Sequence, residues 1–374
     1  MAHIRDRGKS VERRWQARYR DPSGQERSKT FERKIDAQRW LDEVTADLVT
    51  GRYVDPRAGR VTVGEWASVW LASQTFDAAT METMTSRIRT HILALPIGNT
   101  ELRAVRPSTV QAWLRNRQAV LAASYVRLLL ANLSTILQAA VEDRVIASNP
   151  ATVSSVKAPR VDRRQVVPWT TERVHAVIDG HPADLAGVAV VAAGCGLRQG
   201  EAFGLEVDAV DFLGRAVRVV QQLRRVGRAT EVALPKGGRT REVPLPDVVA
   251  VVLAEHMRIR SVTSGLLFSN RDGGPLTRAY FTHNGWRPAL EAAGVEASRV
   301  NGMHALRHHY ASLLLNEGVS IRAVSEYLGH HDPGFTLRTY AHLMPDAEDR
   351  ARAAIDKVMG APAEPSRNEN QLGR

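Results

Sequence analysis

The stretch that decides the fold is residues 302–342, which read GMHALRHHYASLLLNEGVSIRAVSEYLGHHDPGFTLRTYAH. Apolar residues recur at helical spacing after His304, and a second short helix is expected from Ser320 to Leu328, where Gly329 is suited to end it. His304 and Arg307 are three residues apart, so both project from one face of the first helix and can reach one ligand. The stretch therefore predicts two helices that carry polar side chains near their ends.

Two further polar groups follow in the same stretch, namely Leu328-Gly329-His330 and Tyr340, which comes ten residues after His330. Taken alone, a tyrosine so close to a helix is usually a packing or surface residue. The histidines are equally compatible with an exposed helix. Metal binding is a third option for them, but no acid or cysteine lies at ligand spacing nearby. These residues become informative only together with others upstream.

Upstream, Arg198 and Glu201 follow an apolar stretch that predicts a buried helix. Glu201 can hold Arg198 so that its guanidinium faces a phosphate, although a simple helix-capping ion pair is the alternative. Lys236 is the only lysine between residues 158 and 356, in a chain that has 45 arginines and 6 lysines. Lysine can release a proton at accessible pH and arginine cannot, so this exception fits a proton donor, with a stray surface lysine as the alternative.

In order and spacing, five motifs resemble the catalytic set of the tyrosine recombinases, the family of lambda integrase and the Xer recombinases: Arg198, Lys236, His304-x-x-Arg307, Leu-Gly-His330 and Tyr340. Each motif is weak alone, but their joint order over about 140 residues is hard to obtain by accident. The resemblance is strongest across residues 168–345. The first segment is similar to the arm-type DNA-binding domain of three-domain temperate-phage and integrative-element integrases, which two-domain Xer proteins lack.

The resemblance implies a role for each residue. Tyr340 attacks the phosphorus and forms a 3′-phosphotyrosyl bond. Arg198 and Arg307 neutralise the phosphate oxygens, and His330 adds a hydrogen bond there. Lys236 protonates the departing 5′-hydroxyl. No metal or other cofactor is expected.

Two more residues complete the implied site. His304 is expected to help remove the proton of Tyr340, and Glu201 is expected to orient the groups around Arg198. His308 and His331 stand beside the expected histidines in the sequence. Which histidine takes each role is therefore left open.

Composition bounds the remaining possibilities. The chain has 374 residues, a net charge of +11 and an isoelectric point near 10.2, which indicates a polyanionic partner. The single cysteine, Cys195, excludes an internal disulfide and fits a reducing compartment. No apolar run of membrane-spanning length and no signal peptide is expected, so we predict a cytoplasmic, nucleoid-associated protein of a bacterial host.

The expected fold class is α+β and multidomain. It comprises a small N-terminal three-stranded sheet with a helix, an all-α helical domain, and a mainly α catalytic domain with a small antiparallel sheet. Turn and linker signals divide the chain into five parts: 1–60 arm-type DNA-binding domain, 62–150 helical core-site-binding domain, 151–167 basic linker, 168–358 catalytic domain and 359–374 disordered tail.

DNA contacts are expected from two basic groups. In residues 14–20 apolar and basic residues alternate, which predicts a strand with one arginine face, formed by Arg14, Arg18 and Arg20. The linker carries Arg160, Arg163 and Arg164. A solvated basic face is the alternative reading of both groups.

The expected partners follow from the resemblance: double-stranded DNA with core and arm attachment sites, a tetramer of the chain, an excisionase-type directionality factor and a DNA-bending host protein. The expected activity is integration and excision of a mobile element such as a prophage. A type IB topoisomerase and a non-catalytic DNA-binding regulator are the alternatives. A tyrosine relaxase is disfavoured because it needs a metal-binding histidine cluster.

Overall fold

The computed structural model describes residues 2–6, 14–51, 53–161, 165–343 and 347–360, and the chain folds as two compact units, Met1–Arg163 and Arg164–Arg374. The predicted DNA-binding residues Arg163 and Arg164 lie outside the described residues, as does the predicted tail after Gly360.

The first unit begins with the predicted small sheet. It is antiparallel, in the order β1 (His3–Asp6), β2 (Trp15–Arg20) and β3 (Glu26–Phe31), and is followed by α1 (Lys34–Val49). Ala17 and Tyr19 are buried against α1, which confirms the apolar face predicted from the alternation. The hydroxyl of Tyr19 also meets that of Tyr53 at 2.8 Å.

The rest of the first unit is helical, as predicted, with α2 (Val63–Ala72), α3 (Ala78–Ile88), α4 (Pro107–Gln118) and α5 (Ala123–Glu142). Thr62-Val63-Gly64-Glu65 has the spacing that predicts a capping box, and the structure confirms it: Thr62 Oγ1 accepts from the Glu65 N–H at 3.2 Å, and the Thr62 N–H donates to the Glu65 carboxylate at 2.8 Å. The sequence predicts one helix from Thr80 to Leu93, whereas in the structure α3 ends at Ile88 and a π-helical turn follows at Arg89–Leu93.

One described helix, α5, is long and apolar enough to cross a membrane by length and composition. Its apolar face is nevertheless packed inside the protein, because Leu129, Leu133 and Ile136 are buried in the core of the helical segment. A core helix of this kind passes the same test as a membrane span.

The predicted linker, 151–167, is partly anchored. Its first half packs on the helical segment, because the Lys157 N–H donates to Gln111 Oε1 at 2.7 Å and Arg127 donates to the Pro159 carbonyl at 3.3 Å. Pro159 is buried and Arg160 is exposed. Bonds to residues far away in sequence hold this half, so local composition could not predict the contact.

In its described residues the second unit is mainly helical and contains two small sheets. Its helices are α6 (Thr171–Asp179), α7 (Ala183–Gly194), α8 (Gln199–Phe203), α9 (Asp247–Arg260), α10 (Arg278–Phe281), α11 (Arg287–Ala292), α12 (His304–Asn316), α13 (Ile321–Leu328), α14 (Pro333–Tyr340) and α15 (Ala347–Met359). Its strands are β4 (Val210–Asp211), β5 (Ala216–Val219), β6 (Gln222–Val226), β7 (Ala229–Ala233) and β8 (Arg241–Pro244).

The prediction of one small sheet in this unit was incomplete. One sheet has the order β4-β5-β8, and β6 and β7 form a separate hairpin. The sequence also predicts a strand from Leu266 to Ser269, but that stretch makes only isolated bridges, from Leu266 to Glu206 and from Ser269 to Pro275. Strand periodicity cannot distinguish a bridge from a ladder, because the difference lies in the distant partner.

The core of the second unit forms around α7, which is apolar on all sides and packs against α9 and α12. Such a helix must be buried, and Leu185, Val188 and Val191 are. The chain then turns directly from α7 through Gly196 into α8. The start of α8 is thereby brought to the start of α12, where the polar residues lie.

Candidate active site

Arg198 and Arg241 are held by one carboxylate, that of Glu201. Arg198 is the N-cap of α8; its N–H donates to Glu201 Oε2 and its Nη1 to Oε1, both at 2.8 Å. Arg241 on β8 donates from Nη1 to Oε1 at 3.0 Å and from Nη2 to Oε2 at 2.7 Å. Because both oxygens of Glu201 serve both arginines, the orientations of the two guanidiniums are fixed together.

The charge state of Glu201 follows from these contacts. Burial alone would raise the pKa of its carboxyl, but the hydrogen bonds and charges of Arg241 and Arg198 outweigh burial and lower the pKa to about 2. Glu201 is therefore an anion at neutral pH.

Arg307 is the second arginine expected to bind phosphate, and it is 1% exposed. Its Nη1 donates to the Gly196 carbonyl at 2.6 Å, and its Nη2 donates to the Leu328 carbonyl and to His330 Nε2, the latter at 3.2 Å. Burial, and then the charge of Arg198, lowers the pKa of Arg307 to about 9, so the side chain remains a cation at neutral pH.

Arg198, Arg241 and Arg307 form one cluster with Glu201. Arg198 Nη2 donates to the Gly329 carbonyl at 3.2 Å, next to the Leu328 carbonyl that Arg307 uses. The cluster thus holds three guanidiniums and one carboxylate, which bonds Arg198 and Arg241. Among the described residues of this cluster two positive charges are left uncompensated, which makes it a site for an anion.

The hydrogen bonds of His330 define its tautomer. Arg307 can only donate, so Nε2 of a neutral His330 ring accepts, and Nδ1–H donates to Thr336 Oγ1 at 2.7 Å. Burial, followed by the charges of Arg307 and Arg198, lowers the pKa of His330 to about 3, which keeps the ring neutral. His331, its exposed neighbour in sequence, has no place in the cluster.

Tyr340 ends α14 and is 2% exposed. Its hydroxyl lies 2.7 Å from Nδ1 of His308, on α12 one residue after Arg307. Burial raises the pKa of Tyr340 to about 12, against a smaller lowering by the charge of Arg307. The phenol is therefore neutral at rest and lies beside the arginine cluster of its own chain.

His304 and Lys236 border this arrangement. The His304 ring meets that of His308 edge-on, with centroids 4.6 Å apart. Partial burial, and then the charges of His308, Arg307, Arg198 and Lys236, lower the pKa of His304 to about 4. Lys236 is exposed on the turn between β7 and β8, where Gly237 and Gly238 have positive φ and open space around them. The two glycines leave the backbone of this turn few steric constraints, so the lysine lies at the tip of a conformationally permissive turn.

The expected DNA-binding arginines Arg14, Arg18 and Arg20 lie in or directly before strand β2 of the first unit. Arg14 and Arg20 are exposed, and Arg18 pairs with Glu26 at 2.7 Å. Arg18 also donates to Gln16 Oε1 at 2.9 Å. Arg18 is therefore already engaged within the sheet.

Two residues of the cluster, Arg241 and Thr336, were missed at the level of sequence, and His308 was left open as an alternative to His304. Arg241 had a detectable signal, because it is an arginine at the start of a strand whose other residues are partly apolar. His308 lies one turn after His304, so both are on one face and spacing could not rank them. Thr336 gave no signal.

An open arginine-rich cleft of about 1050 Å³ adjoins the cluster through Gln199 and Gly200. The hairpin of β6 and β7 forms one wall and α10 to α11 the other. Five arginines line it: Arg224, Arg225, Arg228, Arg278 and Arg287. No group of three or more His, Cys, Asp or Glu side chains suited to a metal ion occurs in the described ranges.

Family models match two parts of the chain, the phage integrase family at residues 171–346 and the phage integrase N-terminal domain at residues 10–50. A putative prophage phiRv2 integrase of Mycobacterium tuberculosis is 28% identical over 366 residues, covering 92% of this chain and 93% of the relative. Tyrosine recombinase XerA of Thermococcus kodakarensis is 32% identical over 215 residues, covering 55% and 69%.

Solved structures share the fold. The Tn1549 transposon integrase (residues 82–397, with R225K) in complex with a circular intermediate DNA has a TM-score of 0.69 at 20% identity, covering 79% of this chain and 99% of that one. A lambda integrase tetramer bound to a Holliday junction has a TM-score of 0.59 at 18% identity, covering 88% and 92%. The family models and the sequence relatives place the chain in the phage integrase family, and it is a site-specific tyrosine recombinase.

Proposed function

We propose that the chain cuts and rejoins double-stranded DNA through a 3′-phosphotyrosyl bond to Tyr340, and so integrates and excises a mobile element such as a prophage. The observation that carries this proposal is the cluster in which Arg198 and Arg241 share the Glu201 carboxylate, with the buried Arg307 guanidinium and the Tyr340 hydroxyl in the same site. A phosphodiester carries one negative charge, and a second develops as a nucleophile adds to phosphorus. The two uncompensated positive charges match that transition state.

In this mechanism Arg198 and Arg307 bind the two non-bridging oxygens. Oη of Tyr340 forms a bond to phosphorus while the bond to the 5′-oxygen breaks, and Lys236 gives that oxygen its proton. His304 assists the proton transfers on the tyrosine side. Glu201, which also binds Arg241, keeps Arg198 in place.

His330 must change its hydrogen bonding to contribute. At rest its Nε2 accepts from Arg307. A phosphate that takes over the Arg307 bonds leaves Nε2 free, and a second proton on the ring then lets His330 donate to a phosphate oxygen. The anion itself favours that protonation, since it adds negative charge beside the ring.

The reaction exchanges a phosphodiester for a phosphotyrosine and then for a new phosphodiester, so it consumes no ATP. Joining two DNA segments requires four strand cuts, which supports a tetramer on DNA. A lambda integrase tetramer bound to a Holliday junction has this fold. Because Tyr340 lies against His308 and Arg307 of its own chain, we propose that it acts in its own subunit's site.

DNA contacts are assigned by charge. The arginine-rich cleft next to Arg198 is proposed to bind the backbone flanking the cut, and the helical segment 62–150 to bind the core site. The sheet face with Arg14, Arg18 and Arg20 is proposed to bind arm sites, and Arg160 to lie along the duplex. The domain bounds 1–60, 62–150, 151–167 and 168–358 remain part of this proposal.

The biological setting is proposed from the relatives. The phiRv2 relative is a prophage integrase of a bacterium, so we place the chain in the bacterial cytoplasm with the nucleoid. An excisionase-type factor and a DNA-bending host protein would set the direction of recombination.

Covalent capture tests the proposal. Random-sequence duplexes are incubated with the protein, and those that become covalently attached to it are selected. The enriched duplex is then made with a nick near its cut site, which traps the covalent adduct. We expect one phosphotyrosyl peptide containing Tyr340. Tyr340→Phe should retain DNA binding in a gel shift and lose adducts by at least about 1000-fold.

Tyr280→Phe is the matched control, because that tyrosine belongs to the same unit and its hydroxyl bonds only the Arg271 N–H among the described residues. It should form adducts at the parent rate. An adduct that persists in Tyr340→Phe, or that maps to another residue, would contradict the proposal.

A further inference from the structure

In the proposed function Tyr340 needs a group that accepts its proton, and His308 lies where that group must be. Its Nδ1 is 2.7 Å from the Tyr340 hydroxyl, a normal hydrogen-bond distance. His304 lies one turn earlier on α12 and stacks edge-on against His308. Within the described ranges the His304 ring has no hydrogen-bond partner, so the hydroxyl meets His308 and not His304.

Resting on the proposed function, we propose that His308 is the catalytic residue that accepts the Tyr340 proton as the phenol oxygen attacks phosphorus. His304 is then a positioning residue, which packs against the His308 ring and fixes the orientation of that ring. This gives His308 the role that the resemblance implied for His304.

The step balances in protons and bonds. The O–H bond of Tyr340 breaks, its proton moves to Nδ1 of His308, and Oη bonds to phosphorus while the 5′-oxygen leaves with a proton from Lys236. Rejoining reverses each transfer: the incoming 5′-hydroxyl returns a proton to Lys236, and the His308 imidazolium returns one to Tyr340. The site is thus restored without an outside acid or base.

The direction of the resting hydrogen bond agrees with this step. Burial and the charge of Arg307 lower the pKa of His308 to about 4, so the ring is neutral, and a neutral Nδ1 acceptor carries its hydrogen on Nε2. Tyr340, with its raised pKa, is the donor.

The same values keep the nucleophile inactive without DNA. A phenol with a pKa near 12 does not transfer its proton to an imidazole with a pKa near 4. Transfer becomes favourable only while the oxygen bonds to phosphorus, which makes its proton acidic. His308 therefore holds the hydroxyl in place at rest and deprotonates it only during attack.

Two variants of His308 and one control test the proposal on the nicked duplex. His308→Ala removes the acceptor. His308→Asn keeps an oxygen near Nδ1 that can accept the hydroxyl hydrogen but cannot carry a proton away. We expect adduct formation to slow by about 100-fold or more in both, since a general base contributes about that much. His331→Ala, at the exposed neighbour of His330, should cleave like the parent.

A more acidic nucleophile distinguishes a His308 that acts as a general base from a His308 that only supports the structure. Fluorotyrosine at position 340 has a phenol of lower pKa, which loses its proton more easily without a base. It should therefore restore part of the rate lost in His308→Asn and change the rate of the parent much less. Equal thermal unfolding and gel-shift affinity of His308→Asn and the parent would exclude a folding defect as the cause of the loss.

Adduct rates within about threefold of the parent in both variants would overturn the proposal. So would a His308→Asn defect that fluorotyrosine leaves unchanged. Each of these results leaves the Tyr340 adduct in place, so the proposed function survives. Absence of a Tyr340 adduct in the parent protein would instead overturn the proposed function itself.

Discussion

Glu201 is the residue on which the arginine cluster depends. It is fully buried and bonds Arg198 and Arg241 with both oxygens. Removing one partner of a buried ion pair leaves the other charge without compensation, which costs more than the pair contributes when it is intact. Glu201 therefore matters for stability and for the position of Arg198.

Glu201→Gln should lower the free energy of unfolding by about 3 kcal/mol at neutral pH and also slow adduct formation. The pKa of the folded carboxyl is about 2, below its ordinary value of 4.5. Its contribution is complete above pH 4.5 and is lost as the pH falls toward 2. The difference between variant and parent in urea unfolding should therefore be smaller at pH 3.5 than at pH 7.

Glu255→Gln provides the comparison. Glu255 also pairs with an arginine, Arg258 at 2.7 Å, but both side chains are exposed. Such pairs contribute about 0–1 kcal/mol, so this variant should unfold almost like the parent at either pH. An equal loss in the two variants would show that burial of Glu201 is not the cause.

The individual residues also show how much of the site could be predicted from the sequence. Arg198, Arg307, His330 and Tyr340 were named from motifs, and the structure brings them into one region. His308 was not ranked above His304, because two histidines on one helix face are equivalent until Tyr340 is placed against one of them. Arg241 reaches Glu201 from a strand 40 residues away, so its place at the start of a strand could be noticed in the sequence but its partner could not.

The turn from α7 into α8 is the element that joins the two arginines expected to bind phosphate. Gly196 has φ of +64°, and a Cβ there would lie 2.4 Å from the Tyr310 ring. Its carbonyl accepts from Arg307, and Arg198 follows two residues later. Both the conformation and the close approach require glycine.

Gly196→Ala should therefore destabilise the protein by about 1–2 kcal/mol for the backbone and by about 1–3 kcal/mol more for the collision. Cleavage should fall as well, because the carbonyl that orients Arg307 is displaced. Thermal unfolding and adduct formation measure the two effects.

Gly294→Ala isolates the backbone contribution, since Gly294 has φ of +63° and open space around it. It should lower the melting temperature less than Gly196→Ala and leave cleavage unchanged. Equal losses in the two variants would mean that the contact with Tyr310 is unimportant.

Local signals decided which elements could be predicted. The capping box at Thr62 and the strand alternation in residues 14–20 depend on neighbours in sequence, and both were found. The division of the strands into two sheets depends on whether β8 pairs with β5 or with β7, which is a distant choice. Pairing of this kind is set by packing and not by periodicity.

Over the whole molecule the net charge of +11 implies binding to DNA that weakens with salt. The arginine-rich cleft is the part of the second unit where this charge faces an open volume next to the cluster. Each arginine that binds a phosphate releases about one counterion, so the number of contacts can be counted from the salt dependence.

Arg228→Gln and Arg278→Gln remove one exposed cation from each wall of the cleft. Each should reduce the slope of log affinity against log salt by about 1, and the double variant by about 2, on duplexes of any sequence. Arg258→Gln is the matched control, because Arg258 is exposed on α9, pairs with Glu255 and does not line the cleft. A slope that falls equally with Arg258→Gln would mean that overall charge, and not the cleft, binds the backbone.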